Sequence, residues 1–347
     1  MVIYLINIML LFVWKKLFLE RYSNGRKIFC CLASAQWFVL SAFRHPDIGS
    51  DTWFYGSLFN SVSSKTWTEI WQESIGVLSG VVEGRDMGYS FVVKMVSCIY
   101  NDYRFLLILV AGLLAYTLGK FIYENSEEPF FSYLLFSCLF YEFYAITGIR
   151  QTIATCLVVF WGIKYIKQRD FWRFCILTLL ASTIHKSCWV MFLLYFLADK
   201  IITMGYLVIV CLAGILCFVF RNNVFLFLSE TSGYTDYEIV EGAGTTTFTF
   251  LLIGIFFLVM ISYQKLIKIN QSSVIYVNAL VFAVLFVPLT FVEPNTMRVV
   301  QYFSVFLMLL LPTCLKCFGR MNGLVRLVGE LLLLLLFILK EPVYYFM

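Results

Sequence analysis

Charge is what this chain has least of. Lysine, arginine, aspartate and glutamate together make up 14% of its 347 residues, against 61% apolar side chains. A soluble chain of this length cannot hide so much apolar surface, so a soluble globular fold is excluded and a polytopic membrane protein is expected. The net charge of +5 reads as loop cations that set orientation in a bilayer, and nucleic acid is not an expected partner. Acid pairs of the D-x-D kind, which hold a metal in sugar-nucleotide enzymes, are missing. The nearest approach, Asp236-Tyr237-Glu238, reads as part of a solvated loop. Cys314 and Cys317 have C-x-x-C spacing but no second pair, which argues against a metal or redox site. The other cysteines lie mostly inside apolar runs, where a thiol behaves as a small hydrophobe, so neither a disulfide framework nor any metal or cofactor is expected. No internal repeat is visible, in contrast to the related halves of many transporters.

What is abundant is apolar runs of spanning or near-spanning length. They fall near residues 2–19, 28–43, 105–122, 130–147, 150–166, 201–220, 248–263, 274–292, 298–315 and 327–339. The stretch 170–200 is interrupted by His185-Lys186 and reads as two short helices meeting there. The first run, Val2 to Val13, is followed by Trp14-Lys15-Lys16 and lacks a basic start or small-residue cleavage site, so it is expected to stay as a first span. Lys15, Lys16, Arg21, Arg26 and Lys27 place the next loop in the cytoplasm and the amino terminus outside. Lys164, Lys167, Arg169 and Arg173, then Lys265 and Lys268, then Lys316, Arg320 and Arg326 mark further cytoplasmic connections. The expectation is an all-α protein of about twelve transmembrane helices, forming one polytopic domain over residues 1–347.

Two stretches are expected outside: a large loop over 44–104 with interfacial helices, and a second over 221–247. Trp67, Ile70, Trp71 and Ile75 follow helical spacing in the first, which suggests an amphipathic helix on the outer leaflet. Tyr234 and Tyr237 with Gly233, Gly242 and Gly244 in the second suggest a mobile lid.

This topology gathers cations at one rim. Arg44 ends the second span, Arg150 lies in the turn Gly148-Ile149-Arg150-Gln151, His185 sits on another outer turn, and Arg298 follows Glu293-Pro294-Asn295-Thr296. A guanidinium offers a planar fork of donors suited to phosphate or diphosphate, and at a bilayer boundary it escapes full burial. Arg298, Gln301 and Tyr302 share a helix face, as do Arg150 and Ala154. The cluster points to an anionic ligand. Outer-face proton acceptors are Asp51, Glu83, Asp86, Glu142 and His185, with His185 titrating nearest neutrality. Glu142 lies in an apolar run about two turns before Arg150, where an arginine partner is expected. Asp47 and Asp51 flank Gly49, and an Asx-turn role suits one of them.

Five blocks carry a family resemblance: Phe43-Arg44 with Gly49-Ser50-Asp51 and Tyr55; Asp86-Met87-Gly88-Tyr89; Gly148-Ile149-Arg150-Gln151 with Ile153-Ala154; Ile184-His185-Lys186-Ser187; and Arg298 with Tyr302-Phe303. In their order and spacing the chain resembles the EpsG/Wzy family of O-antigen and capsular or exopolysaccharide polymerases. It departs from the family pattern at Asp86-Met87-Gly88, where Glu-Pro-Gly is usual. The resemblance implies a GT-C-like integral-membrane glycosyltransferase, independent of metal, in the bacterial inner membrane with its active face periplasmic. Its substrates would be undecaprenyl-diphosphate-linked oligosaccharides drawn from membrane lipid, and a separate chain-length regulator protein would be a partner. On that reading Arg150, Arg298, His185, Asp51 and Asp86 do the chemistry, and Arg44, Gln151, Tyr302, Gln301, Glu142 and Tyr55 bind substrate. A flippase for the same lipid-linked sugars and an O-antigen ligase are the competing expectations.

Overall fold

A computed structural model describes all residues except 80, 82–85, 233–238, 240–245, 341 and 347. Helix follows helix along the chain, and among the described residues the one β feature is an isolated antiparallel bridge between Arg44 and Phe346. Helices satisfy their own backbone, which is what a chain this apolar needs inside hydrocarbon. Among the described residues, four helices are long and apolar enough to cross a membrane, against the about twelve expected: Val2–Leu19, Tyr103–Asn125, Thr246–Ile269 and Ser273–Phe291. Two bent pairs bring the number to six, Met204–Val219 with Arg221–Glu230 at 83° and Pro294–Ser304 with Leu307–Lys316 at 50°. The break expected at His185-Lys186 is present, with Phe171–Ile184 ending there and Lys186–Val190 turning into Met191–Leu197.

Several rods are wound irregularly for local reasons. Pro312 lies inside Leu307–Lys316 and has no N–H to give the Met308 carbonyl, and Ser132 Oγ donates to that carbonyl at 2.6 Å instead. π-helical turns occupy Phe136–Phe140, Glu142–Ile146 and Cys156–Trp161. They flank the start of Ile149–Thr155 and so lie on either side of Arg150, a placement typical of functional sites.

Side-chain polarity is sparse inside and tightly used. Ser34 Oγ and Tyr133 OH are 2.6 Å apart, Tyr133 OH donates to Cys30 O at 3.1 Å, and Trp37 Nε1 donates to Ser137 Oγ at 3.1 Å. Ser41 Oγ reaches Ala145 O at 2.6 Å. These bonds tie Gly25–Ala42 to the segment that begins at Pro129, where helix association cannot draw on water exclusion.

The 23-residue helix Tyr103–Asn125 is one of the longest of the chain. At 1.5 Å per residue it spans roughly 34 Å, about the thickness of a bilayer core. Tyr103 OH bonds Thr52 O at one end, and at the other Arg26 Nη2 donates to Ser126 O at 2.6 Å. The chain therefore has two polar ends. The second holds Arg26, Lys167, Lys316 and Arg326 with Glu127 and Glu128, and the first holds the residues described next.

Candidate functional site

Asp86 is the centre from which the site is built. It stands just before Met87–Ile99 with φ 61° and ψ 41°, a left-handed conformation that costs an aspartate about 1 kcal/mol or more. That strain aims its carboxylate inward. Arg150 Nη1 donates to Asp86 Oδ2 at 2.7 Å, and the Lys186 backbone N–H donates to Oδ1 at 3.1 Å. His185 Nδ1 lies 3.8 Å from Oδ2. Burial alone would raise the Asp86 carboxyl, but His185, the Arg150 charge and the Lys186 N–H more than offset it and hold the group below the usual carboxylate range. Burial drives the His185 imidazole the other way, below its ordinary value, with Asp86 opposing and the two arginines reinforcing the shift.

Close approach makes this possible. A Cβ at Gly88 would lie 2.1 Å from Thr183 Oγ1 and 2.9 Å from the Thr183 carbonyl carbon, so only glycine lets Met87–Ile99 cross Phe171–Ile184 here. The crossing brings Asp86 onto the helix break at His185. Gly148, at φ 21°, caps Ile149–Thr155 and places Arg150 in its first turn rather than at a turn tip. Tyr55 stacks below the guanidinium at 5.6 Å and its hydroxyl lies 3.4 Å from Arg150 Nε.

A second pair closes the same rim. Arg298 Nη2 donates to Asp51 Oδ2 at 3.1 Å, joining the start of Thr52–Ser64 to Met297–Ser304 across 247 positions of sequence. Gln151 Nε2 donates to Arg298 O at 2.9 Å and reaches Gln301 Oε1 at 3.3 Å, while Tyr144 OH donates to Gln301 O at 2.9 Å. These bonds fix the Arg298 helix to the Arg150 helix. The Tyr302 ring is fully buried and stacks at 6.5 Å from His185.

Beside these groups opens a cavity of about 690 Å³. Its lining includes the polar groups of Asp86, His185, Lys186, Glu293 and Arg298. Its apolar wall is made by Val190, Leu193, Phe286 and Leu289, with Phe225 and Leu228 from the arm bent by 83°. Glu293, unmarked by its sequence context except for heading the turn before Arg298, lines the wall with an oxygen that no protein group meets.

The expected site residues are thus divided. Arg298, Asp86 and His185 line the cavity, whereas Arg150 stands behind Asp86 with Tyr55, and Gln151, Gln301 and Tyr302 brace the helices. Arg44 does not join them. Its guanidinium is buried, donates to Ser41 O, and lines a separate crevice with Tyr144, Ile149 and Thr152. Glu142 is exposed, stands first in the π turn Glu142–Ile146 and belongs to a smaller pocket with Asp47 and Lys340, and among the described residues it has no ion pair to an arginine. Glu83, the Asp236-Tyr237-Glu238 segment, and Gly233, Tyr234, Gly242 and Gly244 lie outside the described residues. Among the described residues, no group of three metal-ligating side chains occurs.

Comparison with known proteins places the chain in a family. No curated protein and no solved structure matches the chain. The EpsG family model matches residues 27–344, a range that takes in every block of the site from Arg44 to Tyr302. The chain belongs to the EpsG family, a family of Wzy-type polymerases.

Proposed function

We propose that this protein is a glycosyltransferase that moves a growing glycan from an undecaprenyl-diphosphate carrier onto a carrier-linked repeat unit at the periplasmic face of the bacterial inner membrane. The cavity carries the proposal. Its lining divides between cations, Lys186 and Arg298, and hydrocarbon side chains, among them Leu193, Phe225, Phe286 and Leu289. A polyprenyl diphosphate sugar has the same division, an anionic head on a long apolar tail. The bent arm Arg221–Glu230 would lie along the interface and flank the tail.

In the transfer, an acceptor hydroxyl oxygen bonds to the donor's anomeric carbon as the bond from that carbon to the diphosphate oxygen breaks. Negative charge grows on the leaving diphosphate, where Arg298 and Lys186 stand ready. A preorganised donor of this kind is worth about 3 kcal/mol, or roughly 10²-fold in rate. Arg150 acts at one remove, holding Asp86 and adding its charge to the field of the rim. Asp51 aims Arg298. The proton leaving the hydroxyl passes to a group on the same wall, for which His185 is the expectation from sequence. The cations of the opposite end support a cytoplasmic assignment for it, and about twelve crossings in a GT-C-like arrangement belong to the same proposal, which would need shorter helices to cross beside the four to six spans that qualify by length and composition. A chain-length regulator would act as a separate partner.

Cells that lack the native protein and carry this chain should regain a polysaccharide ladder, while Arg298→Ala at matched membrane levels should leave single repeat units. A ladder from the variant equal to the parent's would remove Arg298 from the site. Lipid-linked units stranded on the cytoplasmic side in cells without the chain would favour the flippase reading.

A further inference from the structure

Among the described residues, three carboxylates stand beside Arg150 and Arg298, and two are already engaged. Asp86 holds Arg150 and the Lys186 N–H, and Asp51 holds Arg298. Glu293 differs. It is 5% exposed, its Oε1 accepts from Asn295 Nδ2 at 2.8 Å, and its Oε2 is buried on the cavity wall with no hydrogen-bond partner. A buried carboxylate oxygen left unmet is costly unless a ligand completes it. Its placement is rigid: Thr296 Oγ1 donates to Glu293 O at 2.7 Å, and Pro294 starts a short 3₁₀ turn directly after it.

We propose that Glu293 Oε2, rather than His185, takes the proton from the attacking acceptor hydroxyl. The inference rests on the polymerase reading above. As the hydroxyl oxygen bonds to the anomeric carbon and the diphosphate departs, the hydroxyl proton passes to Oε2; the neutral acid then returns it to water at the outer face. Burial raises the Glu293 carboxyl, outweighing the Asn295 side chain and N–H, the Arg298 charge and the Thr296 N–H that lower it, and this makes the group a stronger proton acceptor than an ordinary carboxylate. His185 is the poorer acceptor, because burial and the Arg150 and Arg298 charges disfavour its protonated form more than Asp86, 3.8 Å away, favours it. It serves as a neutral neighbour of Asp86.

The test uses purified full-length protein in lipid nanodiscs, supplied with undecaprenyl-diphosphate-linked repeat units. Glu293→Gln keeps the shape and the Asn295 bond, and should slow transfer about 10²–10⁴-fold while leaving undecaprenyl diphosphate binding within about twofold of the parent. Glu293→Asp should recover part of the rate, and the fall in kcat at acid pH should vanish in Glu293→Gln yet persist in His185→Gln. Transfer by Glu293→Gln at the parental rate, or loss of the acid limb in His185→Gln alone, would overturn the assignment. If Glu293→Gln loses diphosphate binding along with transfer, the residue is structural and the proposal falls. A parent protein that binds the carrier but builds no polymer would overturn the polymerase reading, and the proton-transfer role with it.

Discussion

The two ends of the Tyr103–Asn125 helix handle charge in different ways. At the end that holds Lys316, this lysine pairs with Glu127 at 2.7 Å with side chains 41% and 29% exposed, and Arg326 bonds Glu330 at 2.8 Å with side chains 25% and 13% exposed. At the cavity end, Arg150 meets Asp86 at 2.7 Å with side chains only 14% and 1% exposed, and His185 beside them is 3% exposed. The distances are alike, but the surroundings are not. Exposed pairs are screened and exchange readily with water, so they orient the protein and add little. Buried pairs are costly to assemble and costlier to break, and here they border a cavity. The contrast separates anchoring charge from working charge without reference to any relative.

The largest effect should come from removing the carboxylate that the cavity end is built around. Asp86→Ala leaves Arg150 and His185 facing a buried void, and should destabilise the protein by about 3–5 kcal/mol, read as a large fall in detergent-phase unfolding temperature together with loss of polymer. Next is Gly88→Ala, whose new methyl would meet Thr183 at 2.1 Å. Overpacking of this kind should cost about 1–3 kcal/mol and move Asp86 off Arg150, so activity should fall further than stability does. Smallest is Lys316→Ala at the opposite end, expected to change stability by under about 1 kcal/mol with polymer length and yield intact. A Lys316→Ala effect as large as that of Asp86→Ala would erase the distinction between the ends.

Acid should reveal the same asymmetry. Asp86 and His185 both have folded values below their ordinary ones, so the unfolded chain binds more protons and stability falls as pH drops. For His185 the loss begins below about pH 6.5, and for Asp86 below about pH 4. An unfolding series from pH 8 to 5 should show declining stability in the parent protein and a flatter profile in His185→Gln.

How much of this was legible beforehand follows from what spacing encodes. The polytopic helical class followed from composition, and the break at His185 from two polar residues inside an apolar run. Arg298, Asp51, Arg150 and Asp86 all read as outer-face residues in the sequence, because hydropathy and loop charge sort side chains by end, whereas their pairing does not show there. Neither rule sorts them around the circumference. Arg44 therefore shares the rim residues' end of its helix but sits in a crevice of its own, and Glu142 turns outward at a π turn that no apolar pattern announces. Arg150 proved to stand behind Asp86 rather than on the cavity wall, because the helix begins at Ile149 and places it in the first turn. The role of Gly88 depends on Thr183, almost a hundred positions away, and is visible only once the two helices cross. Glu293 shows the reverse case: its position one turn before Arg298 was a usable sign of a rim carboxylate.

The most direct test of the central claim is polymer synthesis in liposomes containing only this purified protein and externally supplied lipid-linked repeat units, compared for the parent and Arg298→Ala. The account predicts a ladder of glycan lengths from the parent, with diphosphate carrier released once per linkage, and single units from the variant. Unchanged single units from the parent, or translocation of those units with no new linkage, would contradict it.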